Sequence, residues 1–284
     1  MSVRSAATLP LQRLGRRLPP SLRRAVREPV VRRRFTGLGP ADVLLVSYPK
    51  SGSTWLRSLL AQALTGTEPD HDRIRATVAP VGAHGAAPPL VGGQGRLLRT
   101  HEPLWPYRGV AGMGVVYLVR RPEAVCLSYL NHLRGQGRDL EVGAFVDAFL
   151  AGTVDGYGTW ADHVVAAAAH ARGPAPLTWV RYEDLRAHPV TTLASLLDRL
   201  GEARDESVVA EAVAASTPER MRERAASSAE LARRRSRHPR PPEARGWTEA
   251  VDAGRRQRFA RACAPGLAAA GYRAQADGDG PAGG

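Results

Sequence analysis

Apolar and polar positions along the chain fall into short apolar runs separated by amphipathic stretches. Asp42-Val43-Leu44-Leu45-Val46-Ser47-Tyr48 has the length and composition of a buried strand, and residues 54–64 carry apolar side chains at helical spacing until Gly66. Only five residues separate the two, so the order is strand, tight loop, helix. Residues 115–119 form a second apolar run that passes through Arg120-Arg121-Pro122 into a helix containing Ser128 and Tyr129. Arg96-Leu97-Leu98-Arg99-Thr100-His101-Glu102-Pro103-Leu104 reads as a short strand ending in a polar turn. Strands alternating with helices predict an α/β fold: a single domain with a central, mainly parallel sheet flanked by helices and right-handed crossovers. Such sheets bind ligands beyond the carboxyl ends of their strands, so the polar residues that follow each run are the candidates for chemistry.

The loop after the first strand is the most specific of these. Of 40 basic residues, Lys50 is the single lysine and all the others are arginine. Lysine is a compact point charge where arginine is a wide planar fork, which suits a crowded anion. Gly52 lets the backbone approach closely, Ser51, Ser53 and Thr54 add hydroxyl donors, and a helix N-terminus favours negative charge. The lysine precedes the glycine here, so the standard nucleoside-triphosphate loop, glycine and four residues before Gly-Lys-Ser/Thr, is not present.

Tyr48-Pro49-Lys50-Ser51-Gly52-Ser53-Thr54-Trp55 resembles the 5′-phosphosulfate loop of the cytosolic-type sulfotransferases, which move a sulfuryl group from 3′-phosphoadenosine 5′-phosphosulfate (PAPS) to a hydroxyl or amine. Two further segments match in order. Residues 115–129, a strand, then Arg120, then Ser128 in the following helix, resemble the family's 3′-phosphate segment. Trp179-Val180-Arg181-Tyr182-Glu183-Asp184-Leu185, followed by His188-Pro189 and a leucine-rich helix, resembles the strand and turn that close the adenine pocket. The resemblance covers about residues 40–272. It implies that Lys50 stabilises the leaving oxygen, that residues 50–54 hold the phosphosulfate, that Trp55 stacks on adenine, and that Arg120, Ser128 and Tyr182 complete the nucleotide site. Residues 99–101 resemble a lysine-threonine-histidine segment with Arg99 in the lysine's place, which makes His101 the expected base toward the acceptor. Ala124 stands where the family usually carries aspartate. A mobile basic segment before a glycine-tryptophan turn corresponds to residues 225–245, where Arg240 is the residue that aligns. His163 is expected to be structural.

Charge is unevenly placed. The formal net charge is +13, but residues 1–40 hold +9 and residues 233–245 hold +5, leaving the remainder at −1. A nucleic-acid partner is therefore not expected for the body. Residues 1–40 are expected to be a basic, partly helical or disordered arm, with a membrane surface or a carrier protein as its candidate contacts, and residues 273–284 a disordered tail. The domain proper is placed at residues 41–272. Two cysteines, the lack of a long apolar stretch and the lack of metal-ligand spacing lead us to expect a cytoplasmic enzyme with reduced thiols and no metal. The acceptor is expected to be a small molecule such as a bacterial metabolite or natural product. The rival reading is a P-loop nucleoside or small-molecule kinase, which requires a metal-binding carboxylate beside the loop.

Overall fold

The computed structural model describes residues 20–68, 70–104, 113–173, 177–227 and 246–272. Its sheet is built from β1 (Val43–Ser47), β2 (Val78–Pro80), β3 (Leu97–Thr100), β4 (Gly114–Val119) and β5 (Leu177–Arg181). The strand order is β2-β3-β1-β4-β5 and every neighbouring pair is parallel. The expected α/β fold with a central parallel sheet is met. β2 is a strand that the apolar pattern does not announce: it has three residues and ends in proline, too short to show a period. The chain leaves β1 for β2 and β3 on one side and then crosses to β4 and β5 on the other, so the loop after β1 lies at the topological switch point.

The described helices are α1 (Pro20–Arg34), α2 (Ser53–Thr65), α3 (His71–Thr77), α4 (Pro122–Arg134), α5 (Val142–Leu150), α6 (Trp160–His170), α7 (Tyr182–Ala187), α8 (Pro189–Arg199), α9 (Glu206–Ala215), α10 (Pro218–Ser227), α11 (Trp247–Ala250) and α12 (Ala253–Ala269). A parallel sheet covered on both faces needs apolar residues at every position, and β1 is buried at all five. Because successive side chains alternate, Val43, Leu45, Leu97, Val116 and Leu118 pack against Leu56, Leu59 and Leu60 of α2 and Leu193, Leu196 and Leu197 of α8. Leu44, Val46, Leu98, Val115, Tyr117 and Val119 face Phe149, Trp160, Val164 and Phe259 from α5, α6 and α12.

Part of the expected basic arm is a docked helix. Val31 of α1 is buried, Phe35 and Leu38 pack on the same core, and Arg27 pairs with Glu102 at 2.9 Å and donates to the Gly156 carbonyl. Residues 1–19, residues 228–245 with Arg240, and residues 273–284 lie outside the described residues. Among the described residues no helix is long and apolar enough to cross a membrane, and Cys126 and Cys263 are free and buried.

One ion pair holds the amino ends of the two strands that carry the loop and the expected base. Asp42 precedes β1 and Arg96 precedes β3. The Asp42 carboxylate accepts from Arg96 Nε at 2.9 Å, Arg96 Nη2 at 2.6 Å, the Arg96 N–H at 2.9 Å and the Gly39 N–H at 2.9 Å. Burial pushes this carboxyl up, but the hydrogen bonds from the Arg96 side chain and the two backbone N–H groups outweigh it and hold the pKa at about 2. The bond from the Val43 N–H to the Arg96 carbonyl, 2.9 Å, sets the same register. Asp42→Asn keeps the shape and leaves the guanidinium without its counter-charge, so it is expected to cost on the order of 3 kcal/mol in denaturant unfolding. The wild-type contribution is present above the ordinary carboxyl range near 3.8 and is lost as pH falls through about 2.

Candidate active site

Four adjacent strands deliver the expected site residues at their carboxyl ends. β3 runs into His101, β1 into the Lys50 loop, β4 into Arg120 and β5 into Tyr182. With neighbouring strands about 4.8 Å apart, these positions spread over roughly 14 Å, the length of an extended nucleotide-sized ligand.

The loop itself is conformationally unusual. Lys50 has φ 71° and is the only non-glycine at positive φ among the described residues; two residues on, Gly52 has φ 100°. A lysine held left-handed costs on the order of 1 kcal/mol, and such residues persist mainly where a site requires them. Left-handed residues interspersed in a turn point their backbone N–H groups into one concavity, which binds anions. The Trp55 and Leu56 N–H groups both donate to the Gly52 carbonyl, at 3.0 and 3.3 Å, and start α2. The N–H groups ahead of them have no intrahelical acceptor. Ser51 Oγ is buried and has no hydrogen-bond partner among the described residues. A buried hydroxyl without a partner, beside free N–H groups and a lysine, fits the oxygens of an anionic ligand.

Gly52 is needed at its position for a second reason. A Cβ there would lie 2.5 Å from Cδ2 of Tyr182, whose ring covers the loop. The guanidinium of Arg120 stands over the same ring, 4.1 Å from its centroid, and Trp55 meets it edge-on at 5.6 Å. The strand ends thus bring Trp55, Arg120 and Tyr182 into one cluster, in which Arg120 Nε and Trp55 Nε1 are buried without partners among the described residues. A bond from the Arg121 N–H to Glu183 Oε1, 2.9 Å, ties the turn after β4 to the turn after β5, and Tyr272 donates to the other Glu183 oxygen at 2.6 Å. Ser128, in the middle of α4, is half-buried and makes no side-chain hydrogen bond among the described residues. Ser53 is half-buried. Thr54 is exposed and accepts from Arg57 Nη2 at 3.4 Å.

His101 is fixed from both sides of its backbone. Its Nδ1 lies 2.8 Å from the Ser47 carbonyl at the end of β1. A carbonyl only accepts, so Nδ1 carries the proton and Nε2 keeps its lone pair. Burial pushes the ring pKa down to about 4, and the positive charges of Arg99, Arg57 and Lys50 push the same way against the bond to Ser47. The ring is therefore neutral at pH 7. Behind it, His163 Nε2 donates to the His101 carbonyl at 3.0 Å while His163 Nδ1 accepts from the Tyr117 hydroxyl at 2.6 Å. His163 is buried, so it shapes the turn that carries His101 and is not presented to solvent. Tyr157 stands edge-on to His101 at 6.0 Å and receives Arg27 of α1 on its face at 5.3 Å.

Residues 94–271 match the sulfotransferase domain family, which is more than half of the chain. The chain belongs to the sulfotransferase family. His101, Arg120, Ser128 and Tyr182 lie within the matched span, and the Lys50 loop lies ahead of it. Sulfotransferase 1B1 of Mus musculus is 25% identical over 209 residues, 65% of this chain and 66% of that protein. Sulfotransferase 1A1 of Rattus norvegicus is 28% identical over 206 residues, 65% of this chain and 68% of the relative. The match thus spans about two thirds of the length of these curated relatives. Among solved structures, retinol dehydratase in complex with androsterone and the inactive cofactor PAP shares the fold with a TM-score of 0.61 at 20% identity, covering 81% of each chain. A mouse sulfotransferase complexed with PAP superposes with a TM-score of 0.58, also at 20% identity, over 80% of this chain and 83% of that one.

Two arginines escape the sequence patterns. Arg57 is buried on α2, one turn beyond the loop, and Arg75 of α3 is coupled to it electrostatically. An arginine set between Leu56 and Leu59 on an otherwise apolar helix face was the available signal for the first; nothing in the sequence marks the second.

The contact between Gly52 and Tyr182 gives a direct test. Gly52→Ala drives a methyl group against the edge of the Tyr182 ring at a left-handed φ and is expected to destabilise by about 1–3 kcal/mol in denaturant unfolding. Tyr182→Ala in the same chain should return part of that loss, which a double-mutant cycle reads as coupling between the two sites.

Proposed function

We propose that this sulfotransferase transfers the sulfuryl group of PAPS to the hydroxyl of a small-molecule acceptor, with Lys50 and His101 as its catalytic residues. The observation that carries the reading is the alignment along the strand ends: a neutral His101 at β3, the left-handed lysine loop at β1, and Arg120 with Tyr182 at β4 and β5. The order of strands is the order of chemical parts in an acceptor hydroxyl, a phosphosulfate and a 3′-phosphoadenosine.

In this arrangement the open N–H groups of the loop from Lys50 to Thr54 and the Ser51, Ser53 and Thr54 hydroxyls hold the 5′-phosphosulfate, while the Ser51 N–H is kept by the Tyr48 carbonyl. Lys50 neutralises charge on the oxygen that leaves sulfur. Arg120 grips the 3′-phosphate with its guanidinium, Ser128 adds a hydroxyl from α4, and Trp55 with Tyr182 encloses the adenine. Arg240 is the further candidate for the 3′-phosphate. PAPS supplies the activated sulfuryl group, and the protein's task is alignment and stabilisation of charge, as in phosphoryl transfer. His101 Nε2, held as the lone-pair nitrogen by the bond from Nδ1 to Ser47, takes the acceptor proton as the new S–O bond forms. Domain limits of residues 41–272 are part of the same proposal, with α1 packed on its outside.

Isothermal titration with adenosine 3′,5′-bisphosphate (PAP), 5′-AMP, ATP and a DNA duplex tests the class. PAP should bind, and far more tightly than 5′-AMP, because Arg120 faces a phosphate that AMP lacks. Arg120→Ala should narrow that gap by about 1.5–3 kcal/mol, the worth of a hydrogen bond to a charged group. Equal affinity of the wild type for PAP and AMP would remove the 3′-phosphate site, and preference for ATP would favour a kinase.

The base is tested separately. His101→Ala should keep PAP affinity and lose roughly 10²–10⁴-fold in kcat, more on an aliphatic alcohol than on a phenol whose proton leaves easily. Because the His101 pKa is depressed to about 4, the neutral, competent ring persists as pH falls from 7 to 5 and is lost only as pH falls through about 4. The acidic limb of kcat/KM should therefore lie well below the ordinary histidine value of 6.5. Full activity of His101→Ala on an aliphatic alcohol would place the base elsewhere.

A further inference from the structure

One arginine of α1 reaches the turn that carries His101. Arg27 Nη2 meets Glu102 Oε1 at 2.9 Å, and its Nη1 donates to the Gly156 carbonyl. Its guanidinium also lies over the Tyr157 ring, 5.3 Å from the centroid. Glu102 directly follows His101 and is 5% exposed, and Tyr157 stands edge-on to the His101 ring at 6.0 Å. A single planar group thus ties the turn after β3 to the loop at residues 151–159, which joins α5 to α6. Lysine could not make this set of contacts, because the two bonds leave separate nitrogens of a flat fork while its face covers a ring.

The loop needs such ties. Gly152, Gly156 and Gly158 all fall within residues 151–159, so this backbone has little stiffness of its own. The Tyr48 hydroxyl donates to the Gly158 carbonyl at 3.2 Å. The Tyr129 hydroxyl donates to the Asp155 carboxylate, as does the Tyr157 N–H at 2.7 Å. The tie at Gly156 comes from α1. A contact that only fastened α1 to the body would add little, since Val31 and Phe35 already pack on the core. Arg27 instead engages a buried carboxylate next to the expected base and covers the ring that flanks it. No space separates Arg27 from the loop: a Cβ at Gly156 would lie 2.6 Å from Arg27 Cζ. Resting on the function proposed above, we propose that Arg27 is a positioning residue, which holds Tyr157 and the Glu102 turn so that His101 keeps its place against the acceptor hydroxyl.

The test compares Arg27→Ala, Arg27→Lys, Gly156→Ala, the Arg27→Ala/Gly156→Ala double variant and Tyr157→Leu as full-length proteins saturated with PAP. Gly156 is exposed and is not at positive φ, so Gly156→Ala displaces the flexible Arg27 side chain without disturbing the core. The ring-carbon protons of His101, assigned through His101→Gln, feel the ring current of Tyr157 and are followed by NMR. Arg27→Ala and Gly156→Ala should move them in the direction that Tyr157→Leu does, and Gly156→Ala should add nothing once Arg27 is gone. Arg27→Lys keeps the charge beside Glu102 but not the fork, and should recover only part of the shift. PAP affinity, measured by calorimetry, should stay within about twofold of the wild type in every variant. In transfer from PAPS to the phenol or primary alcohol that the wild type sulfates fastest, Arg27→Ala should lower kcat about tenfold or more and leave the KM for PAPS unchanged. Unmoved His101 resonances in Arg27→Ala, or effects of Arg27→Ala and Gly156→Ala that simply add, overturn the proposal and leave the sulfotransferase reading in place. An unchanged kcat in Arg27→Ala overturns it as well. Failure of the wild type to bind PAP is a different result, since it removes the reading on which the proposal rests.

Discussion

The bond between His101 Nδ1 and the Ser47 carbonyl, 2.8 Å, joins the two halves of the site. Ser47 ends β1, and three residues later the chain turns left-handed at Lys50. His101 follows β3, which is hydrogen-bonded to β1 in parallel register. His101 and the lysine loop are therefore fixed to two directly paired strands, and under the proposed function the sheet sets the relation between acceptor and leaving oxygen. Catalysis by alignment depends on this, because a displacement of about 1 Å can cost two orders of magnitude in rate. The same bond fixes the imidazole tautomer, so one interaction decides both where the His101 ring sits and which nitrogen keeps its lone pair.

That geometry in turn rests on packing. β1 can hold its register only because both of its faces are covered, by α2 and α8 on one side and by α5, α6 and α12 on the other. The Asp42 to Arg96 pair fixes the amino ends of β1 and β3, the ends opposite the site. His163 and Tyr117 then reach from the second core to the carbonyl of His101. A polar pair is buried here because the turn after β3 has a backbone carbonyl to satisfy away from water.

Much of this was legible in the sequence, for reasons that are physical. β1, β4 and α2 have continuous apolar runs bounded by glycine, proline or charge, and a parallel sheet makes such runs inevitable. Lys50 stood out because arginine fills every other basic position, and the structure adds that it is the non-glycine held at positive φ. β2 was not legible, since three residues show no period and its pairing is decided by β3. The docking of α1 was hidden by its charge: Arg32, Arg33 and Arg34 dominate its last turn, while Val31 between them and Arg27 is buried. Ser128 and Arg120 were joined by spacing alone, and the structure gives Arg120 its partner in Tyr182, far away in sequence. Arg240 falls outside the described residues.

Arginine is so abundant in this chain that its presence at a position carries little information, and what distinguishes one arginine from another is whether its nitrogens are satisfied. Arg134 is held by the Leu140 carbonyl, Arg181 by the carbonyls of Ala270 and Gly271, and Arg255 by Asp147 and Asp252. These fasten helices and turns to one another. Arg99 and Arg120 each keep a buried Nε unpaired among the described residues, and both stand at the carboxyl end of a strand, on opposite sides of β1. Desolvated donors without acceptors are rare in folded proteins because each costs on the order of 1–3 kcal/mol. Two of them flank the lysine loop, so the strand ends present unsatisfied donors on both sides of it.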